Sequence, residues 1–176
     1  MIGLLGGTFD PPHNGHVELA QAALKAVPLD RLVVLVAEQP GHRTVVSDAE
    51  TRLRLAKAAF PDAEVQLDPH PFTVDAVRDG RFGDAAFVVG ADQGALFEKW
   101  KEPKEILQHV KLAIGTRFGF PDHDLGRYGD RVIPFQLESP PISSSEVRRR
   151  VAAGETIDDL VPPAVARLIE ELGLYR

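Results

Sequence analysis

Ile2-Gly3-Leu4-Leu5-Gly6-Gly7-Thr8-Phe9-Asp10-Pro11-Pro12-His13-Asn14-Gly15-His16 is the stretch whose reading decides the fold. A short apolar run, Ile2–Leu5, ends in two glycines, and helical spacing begins at His16 and runs to Val27. Val17, Ala20, Leu24 and Val27 are expected on its inward side. A strand, a Gly-rich turn and a helix in immediate succession form the opening half of a βαβ unit. Such a turn suits an anion: Gly6 and Gly7 let the backbone approach closely, and the helix N-terminus adds a favourable dipole. His13 and His16 are close enough in sequence for both imidazoles to address one phosphate. A Gly/Pro turn with two incidental surface histidines is the competing reading.

The same alternation continues outward. Leu32–Val36, Val65–Leu67, Ala85–Val89, Leu112–Ile114 and Val132–Phe135 read as further strands. Their near-continuous apolarity is that of strands covered on both faces. Asp48–Phe60 reads as a helix capped by Ser47 or Asp48 and closed by Pro61. Phe72–Val77 is ambiguous and opens as a short helix. Leu96–Trp100 and Ile106–His109 are short helical pieces separated by Pro103, and Gly119–Arg131 reads as a surface loop. Ser145–Ala153 and Pro163–Leu172 are helical, with Pro163 suited to a first turn. The expectation is a single α/β domain over residues 1–176, a doubly wound parallel sheet of Rossmann-like type with a helical C-terminal end. Ligands of such sheets bind beyond the carboxyl ends of the strands, where strand order reverses.

Composition narrows the function. With 176 residues, 44% apolar and 26% charged, the chain is an ordinary globular one, and its lack of cysteine excludes disulfides and thiolate metal sites. A formal net charge of −6 argues against nucleic acid as partner. No basic leader or long apolar run is visible, so no membrane association and a cytoplasmic location are expected. A homo-oligomer is compatible with all of this.

A second segment, Ile142-Ser143-Ser144-Ser145-Glu146-Val147-Arg148, has its own logic. Ser144 or Ser145 can cap the helix that follows, leaving N–H groups for phosphate oxygens, and Arg148 lies one turn in. Arg149 and Arg150 point elsewhere and are expected to be solvated.

With both segments in view the chain resembles the nucleotidyltransferase superfamily. His13-Asn14-Gly15-His16 after Gly7-Thr8-Phe9-Asp10 matches its HxGH signature, and Ile142–Arg148 resembles its IS(S/T)xxxR element. Phe87-Val88-Val89-Gly90-Ala91-Asp92, Trp100, Gly115-Thr116-Arg117-Phe118-Gly119-Phe120 and the segments Leu160–Pro163 and Gly173–Arg176 are similar to the bacterial nicotinate (nicotinamide) mononucleotide adenylyltransferases. The resemblance implies an enzyme that transfers an adenylyl group from ATP to a pyridine mononucleotide. It implies a catalytic set of His13, His16 and Thr8. Gly7, Thr8, Phe9, His16, Gly90, Asp92, Ile142, Ser144, Ser145 and Arg148 would bind ATP. Thr8, Arg43, Thr73, Asp75, Trp100 and Arg117 would bind the acceptor. Magnesium would enter through the ATP phosphates, without protein ligands. Trp100 as a packed aromatic and Asp92 as a helix cap are the plain alternatives.

Two segments depart from the family pattern. Pro40-Gly41-His42-Arg43 replaces a Pro-Pro-His-Lys element, and Pro71-Phe72-Thr73-Val74-Asp75-Ala76 stands for a Ser-Tyr-Thr-x-Asp-Thr element, with a hydroxyl removed at Phe72 and another at Ala76. Phosphopantetheine adenylyltransferases share the GTFDP…NGH opening and an ISSS element, so another phosphate-bearing acceptor is one alternative. A non-catalytic nucleotide sensor is the other.

Overall fold

A computed structural model describes residues 1–40, 44–116 and 125–176. Six strands form one sheet: β1 (Ile2–Gly7), β2 (Arg31–Ala37), β3 (Glu64–Asp68), β4 (Ala85–Gly90), β5 (Lys111–Thr116) and β6 (Val132–Gln136). Their order is β3-β2-β1-β4-β5-β6, and every neighbouring pair is parallel. All six expected strands are present, and the doubly wound class is borne out.

Alternation along the strands divides the core into two layers. Leu5, Val34, Val36, Ala86, Val88 and Ala113 face one side. There they meet α1 (Asn14–Ala26), α2 (Ala49–Ala59), α6 (Ser144–Ala152) and α7 (Pro163–Glu171). Leu4, Val33, Leu35, Phe87, Val89, Leu112 and Ile114 face the other, against α3 (Thr73–Val77), Phe97 and α5 (Pro103–His109). Burial on both faces is why these strands read as unbroken apolar runs.

Several local expectations are corrected. α1 begins two residues before His16, because His13 is extended (φ −139°, ψ 170°) and caps it, while the Asn14 N–H donates to Leu160 O at 2.8 Å. Its buried face is Leu19, Ala20 and Ala23, and Leu24 is 42% exposed. Leu19 rests on β5 where Gly115 has no side chain: a Cβ there would lie 2.8 Å from Leu19 Cδ1. Between the two candidates for the α2 cap the structure selects Asp48, whose Oδ1 accepts from Thr51 N at 2.7 Å. That bond pulls the Asp48 carboxyl below its ordinary range.

The helix α4 (Ala91–Ala95) was not legible as one, since Gly94 breaks its propensity; a Cβ at Gly94 would lie 2.9 Å from Ile114 Cγ2. Its N-cap is Gly90, so Asp92 stands inside the first turn and is not the cap. Pro103 opens α5 instead of separating two helical pieces. Leu125–Arg131, expected in a loop, forms two 3-10 turns joined at Gly129 (φ 54°). Arg131 anchors them by donating to Leu107 O and Val110 O at 2.7 and 3.3 Å. Among the described residues no helix is long and apolar enough to cross a membrane.

Candidate active site

Strand order reverses between β1 and β4, and their ladder runs only from Ile2↔Ala85 to Leu4↔Phe87. Residues 5–7 and 88–90 therefore have no partner in each other, and the two strand ends part to leave a crevice. Gly7 and Gly90 end these strands. Among the described residues, nothing beyond Gly90 itself and its chain neighbours lies within 4 Å of where a Gly90 Cβ would be, so its backbone is approachable.

The loop after β1 is held in an unusual shape. Phe9 has φ 53° and is 1% exposed, its ring edge-on to His16 (5.1 Å) and Phe60 (5.8 Å). Left-handed backbone at a bulky residue costs on the order of 1–3 kcal/mol and persists where the surroundings impose it. The Phe9 ring packs over Gly7, where a Cβ would lie 2.8 Å from it. The side chain of Phe9 belongs to the core.

His13 and His16 stack, with centroids 3.7 Å apart and an interplanar angle of 28°. Their roles differ. His16 Nδ1 accepts from the His13 N–H at 3.2 Å, which assigns the proton of a neutral ring to Nε2. His13 is 8% exposed, and burial pulls its pKa down to about 4, so it is neutral near pH 7. Its Nδ1 is buried without a hydrogen-bond partner among the described residues, an exception that calls for a ligand-side explanation. Gly15 makes room for this ring, since a Cβ there would come 3.1 Å from Nδ1.

The second motif lies against the first. Ser144 Oγ donates to Pro11 O at 2.7 Å, and Arg148 Nη1 donates to Asp10 O at 2.6 Å. The two motifs are thereby joined at the β1–β4 crevice, and the N-termini of α1 and α6 both border the Thr8–His13 loop. The α6 cap is Ser143, whose Oγ accepts from Glu146 N at 3.2 Å, and not Ser144 or Ser145. This releases Ser144 for the loop, while Ser145 Oγ accepts from Arg148 Nη2 at 3.3 Å. Ile142 is half-buried against the core. Arg149 and Arg150 do turn away from the loop, but as ion-paired groups: Arg149 with Glu146 and Glu155, Arg150 with Glu146 and Asp159.

Beneath the loop lies a frame that sequence reasoning missed. Arg52, 1% exposed, donates to Ser47 O (3.1 Å), Thr8 O (3.0 Å), Ala37 O (2.5 Å) and Glu38 O (3.0 Å). The Asp10 carboxylate, 3% exposed, accepts from Val46 N (2.6 Å), Ser47 N (3.3 Å) and the Tyr175 hydroxyl (2.7 Å). A signal for Arg52 existed: it falls on the α2 stripe with Leu55, Ala56 and Ala59, where a cation is out of place unless it is fully bonded.

The expected acceptor residues gather less closely. Trp100 is half-buried, edge-on to Phe87 (6.0 Å) and Phe97 (5.5 Å), so the packed-aromatic reading holds for much of its surface. Thr73 opens α3. Asp75 pairs with Arg78 and Lys101, each at 3.1 Å. Lys101 also lies over the exposed Phe72 ring, 4.7 Å from its centroid. Arg43 and Arg117 lie outside the described residues. Among the described residues no three His, Cys, Asp or Glu side chains converge as a metal site, and the Asp10 carboxylate is occupied by its three donors.

Residues 4–150 match the model of the cytidylyltransferase-like family. Named as probable nicotinate-nucleotide adenylyltransferases are a Bordetella avium protein, 37% identical over 195 residues, and a Thermus thermophilus protein, 36% identical over 187 residues. Those alignments cover 99% of this chain and 98% and 99% of the relatives. The fold is similar to that of Plasmodium falciparum nicotinic acid mononucleotide adenylyltransferase in complex with NaAD. The TM-score is 0.78 at 16% identity, over 99% of this chain and 96% of that one. On these alignments the chain belongs to the cytidylyltransferase-like family, within its nicotinate-nucleotide adenylyltransferase group.

Proposed function

We propose that the chain transfers the adenylyl group of ATP to nicotinate mononucleotide, giving nicotinate adenine dinucleotide and pyrophosphate. The observation that carries this reading is the joining of the two phosphate-type motifs, through Ser144 to Pro11 and Arg148 to Asp10, at the strand-order reversal. The relatives' names supply the acceptor class.

A phosphate oxygen of the acceptor attacks the α-phosphorus of ATP in line. The bond from that phosphorus to the bridging oxygen of the β-phosphate breaks, and pyrophosphate leaves with the electron pair. The attacking monoester is already anionic near neutral pH, so no side-chain nucleophile is required. The protein contributes position and charge stabilisation.

Thr8 orients the acceptor phosphate. His16 donates from Nε2 to an α-phosphate oxygen, and His13 supplies a neutral N–H beside it. Gly7, Phe9 and Gly90 offer main chain to the nucleotide, with Asp92 and Ile142 flanking it. The main-chain N–H of Ser144, whose hydroxyl proton is given to Pro11 O, together with Ser145 and the N–H groups of Arg148 not bonded to Asp10 and Ser145, holds the β- and γ-phosphates. Arg43, Thr73, Asp75, Trp100 and Arg117 form the acceptor side, where Trp100 presents its exposed ring surface to the pyridine. Magnesium would enter with the ATP phosphates and reduce their charge, with no side chain assigned to hold it, since the nearby carboxylate, Asp10, is occupied by its three donors.

The test is an acceptor panel with ATP and magnesium, comparing kcat/KM for nicotinate mononucleotide, nicotinamide mononucleotide and phosphopantetheine. The expected order puts nicotinate mononucleotide first. Preference for phosphopantetheine, or ATP binding without turnover on any acceptor, overturns the reading.

A further inference from the structure

The Thr8–His13 loop carries the groups assigned to phosphate, yet Phe9 is strained and the His13 ring has a bare nitrogen. Something outside the loop must hold it, and the hydrogen bonds converge on one residue. Asp10 receives Arg148 on its main-chain oxygen. On its buried carboxylate it receives Val46 N, Ser47 N and Tyr175 Oη. Three distant parts of the chain, the β2–α2 connection, α6 and the segment after α7, thus meet on one loop residue.

Tyr175 is the unusual member. It belongs to no helix or strand, has φ 63°, and directs its hydroxyl inward to Asp10 Oδ1 at 2.7 Å. Ser47 Oγ donates to the same hydroxyl at 3.1 Å, which fixes the phenol as donor toward the carboxylate. Burial pushes the phenol's pKa upward, so the donated proton is present throughout the working range. A left-handed tyrosine whose only polar side-chain group points at a buried carboxylate is more than a way to end a helix: Gly173 already turns the chain at φ 62°.

We propose that Tyr175 is a positioning residue for adenylyl transfer, acting through Asp10 to hold the Thr8–His13 loop and Arg148 in register. This rests on the function proposed above. Tyr175 touches neither substrate; it sets where the groups that do are held.

The test is a double-mutant cycle of Tyr175→Phe and Asp10→Asn on the full chain, read in kcat/KM for ATP with saturating nicotinate mononucleotide. Phenylalanine keeps the ring packing and removes only the hydroxyl. Tyr175→Phe is expected to lower kcat/KM about five- to tenfold, the scale of one lost hydrogen bond expressed at the transition state. Adding it to Asp10→Asn is expected to cost less than about twofold more, because the hydroxyl acts through that carboxylate. A full five- to tenfold loss in both backgrounds, or a Tyr175→Phe enzyme as active as wild type, overturns the proposal. If the wild-type chain itself fails to turn over, the functional reading falls separately, and the same cycle read in ATP affinity by calorimetry decides the positioning role.

Discussion

Replacing Arg52 with methionine isolates the buried frame beneath the phosphate loop. Methionine keeps most of the stem's volume and removes every N–H, leaving the carbonyls of Ser47, Thr8, Ala37 and Glu38 without their donor in a dry site. Each such bond from a charged donor is worth roughly 1.5–3 kcal/mol, so the four together give a gross loss of about 6–12 kcal/mol. Against this stands the desolvation of the guanidinium, several kcal/mol that the variant recovers. The net loss is about 3–5 kcal/mol, a large part of the roughly 5–15 kcal/mol that holds a domain folded. At about 2–4 °C per kcal/mol for a chain of this size, Tm should fall by roughly 6–20 °C. Thermal melting followed by circular dichroism measures it, with Arg52→Lys expected between the two. A methionine variant melting within about 2 °C of wild type would refute the claim that Arg52 holds the loop.

Three further outcomes are expected. His16→Ala should lower kcat about a hundredfold, the usual loss for a donor used in the transition state, and steady-state pyrophosphate release would reveal a smaller effect. His13 should make stability pH-dependent. Its folded pKa of about 4 lies below the ordinary 6.5, so the unfolded chain binds the proton first, and stability contributed above pH 6.5 is lost as pH falls. Between pH 6.5 and 5 that loss is about 2 kcal/mol, and urea denaturation of His13→Asn should lack this component. Gly15→Ala should push a methyl against the His13 ring and lower kcat several-fold while Tm changes little; unchanged kinetics would show that the ring gives way freely.

Much of the fold was legible because its physics is local. Doubly covered strands are apolar runs, Asp48 has the chemistry of a cap, and Pro163 that of a first turn. The errors fall where tertiary contact overrides propensity. Leu24 fits the α1 periodicity as well as Leu19 does, but only Leu19 faces the gap at Gly115. Ser143, Ser144 and Ser145 are chemically equivalent in sequence, and the choice of Ser143 as cap follows from Ser144 bonding to Pro11. Of the site, the two motifs were readable as separate phosphate elements. Their junction was not, because it consists of side chains bonded to main-chain oxygens 133 and 138 positions away. Asp10 was visible only as part of a motif, and its partner Tyr175 only as part of a family-like ending; nothing in spacing joins them. On the acceptor side, Asp75 suggested a ligand-binding carboxylate; its ion pair with Arg78 is local, at i,i+3, and the one with Lys101 emerges only when α3 and the Trp100 region fold together.

The central claim is that the acceptor's own phosphate attacks the α-phosphorus of ATP at the junction of the two motifs. Nicotinate mononucleotide labelled with oxygen-18 on its phosphate tests it most directly, by mass spectrometry of both products. The label is expected entirely in the dinucleotide, with none in pyrophosphate. Label in the pyrophosphate, or pyrophosphate released without dinucleotide, would contradict it.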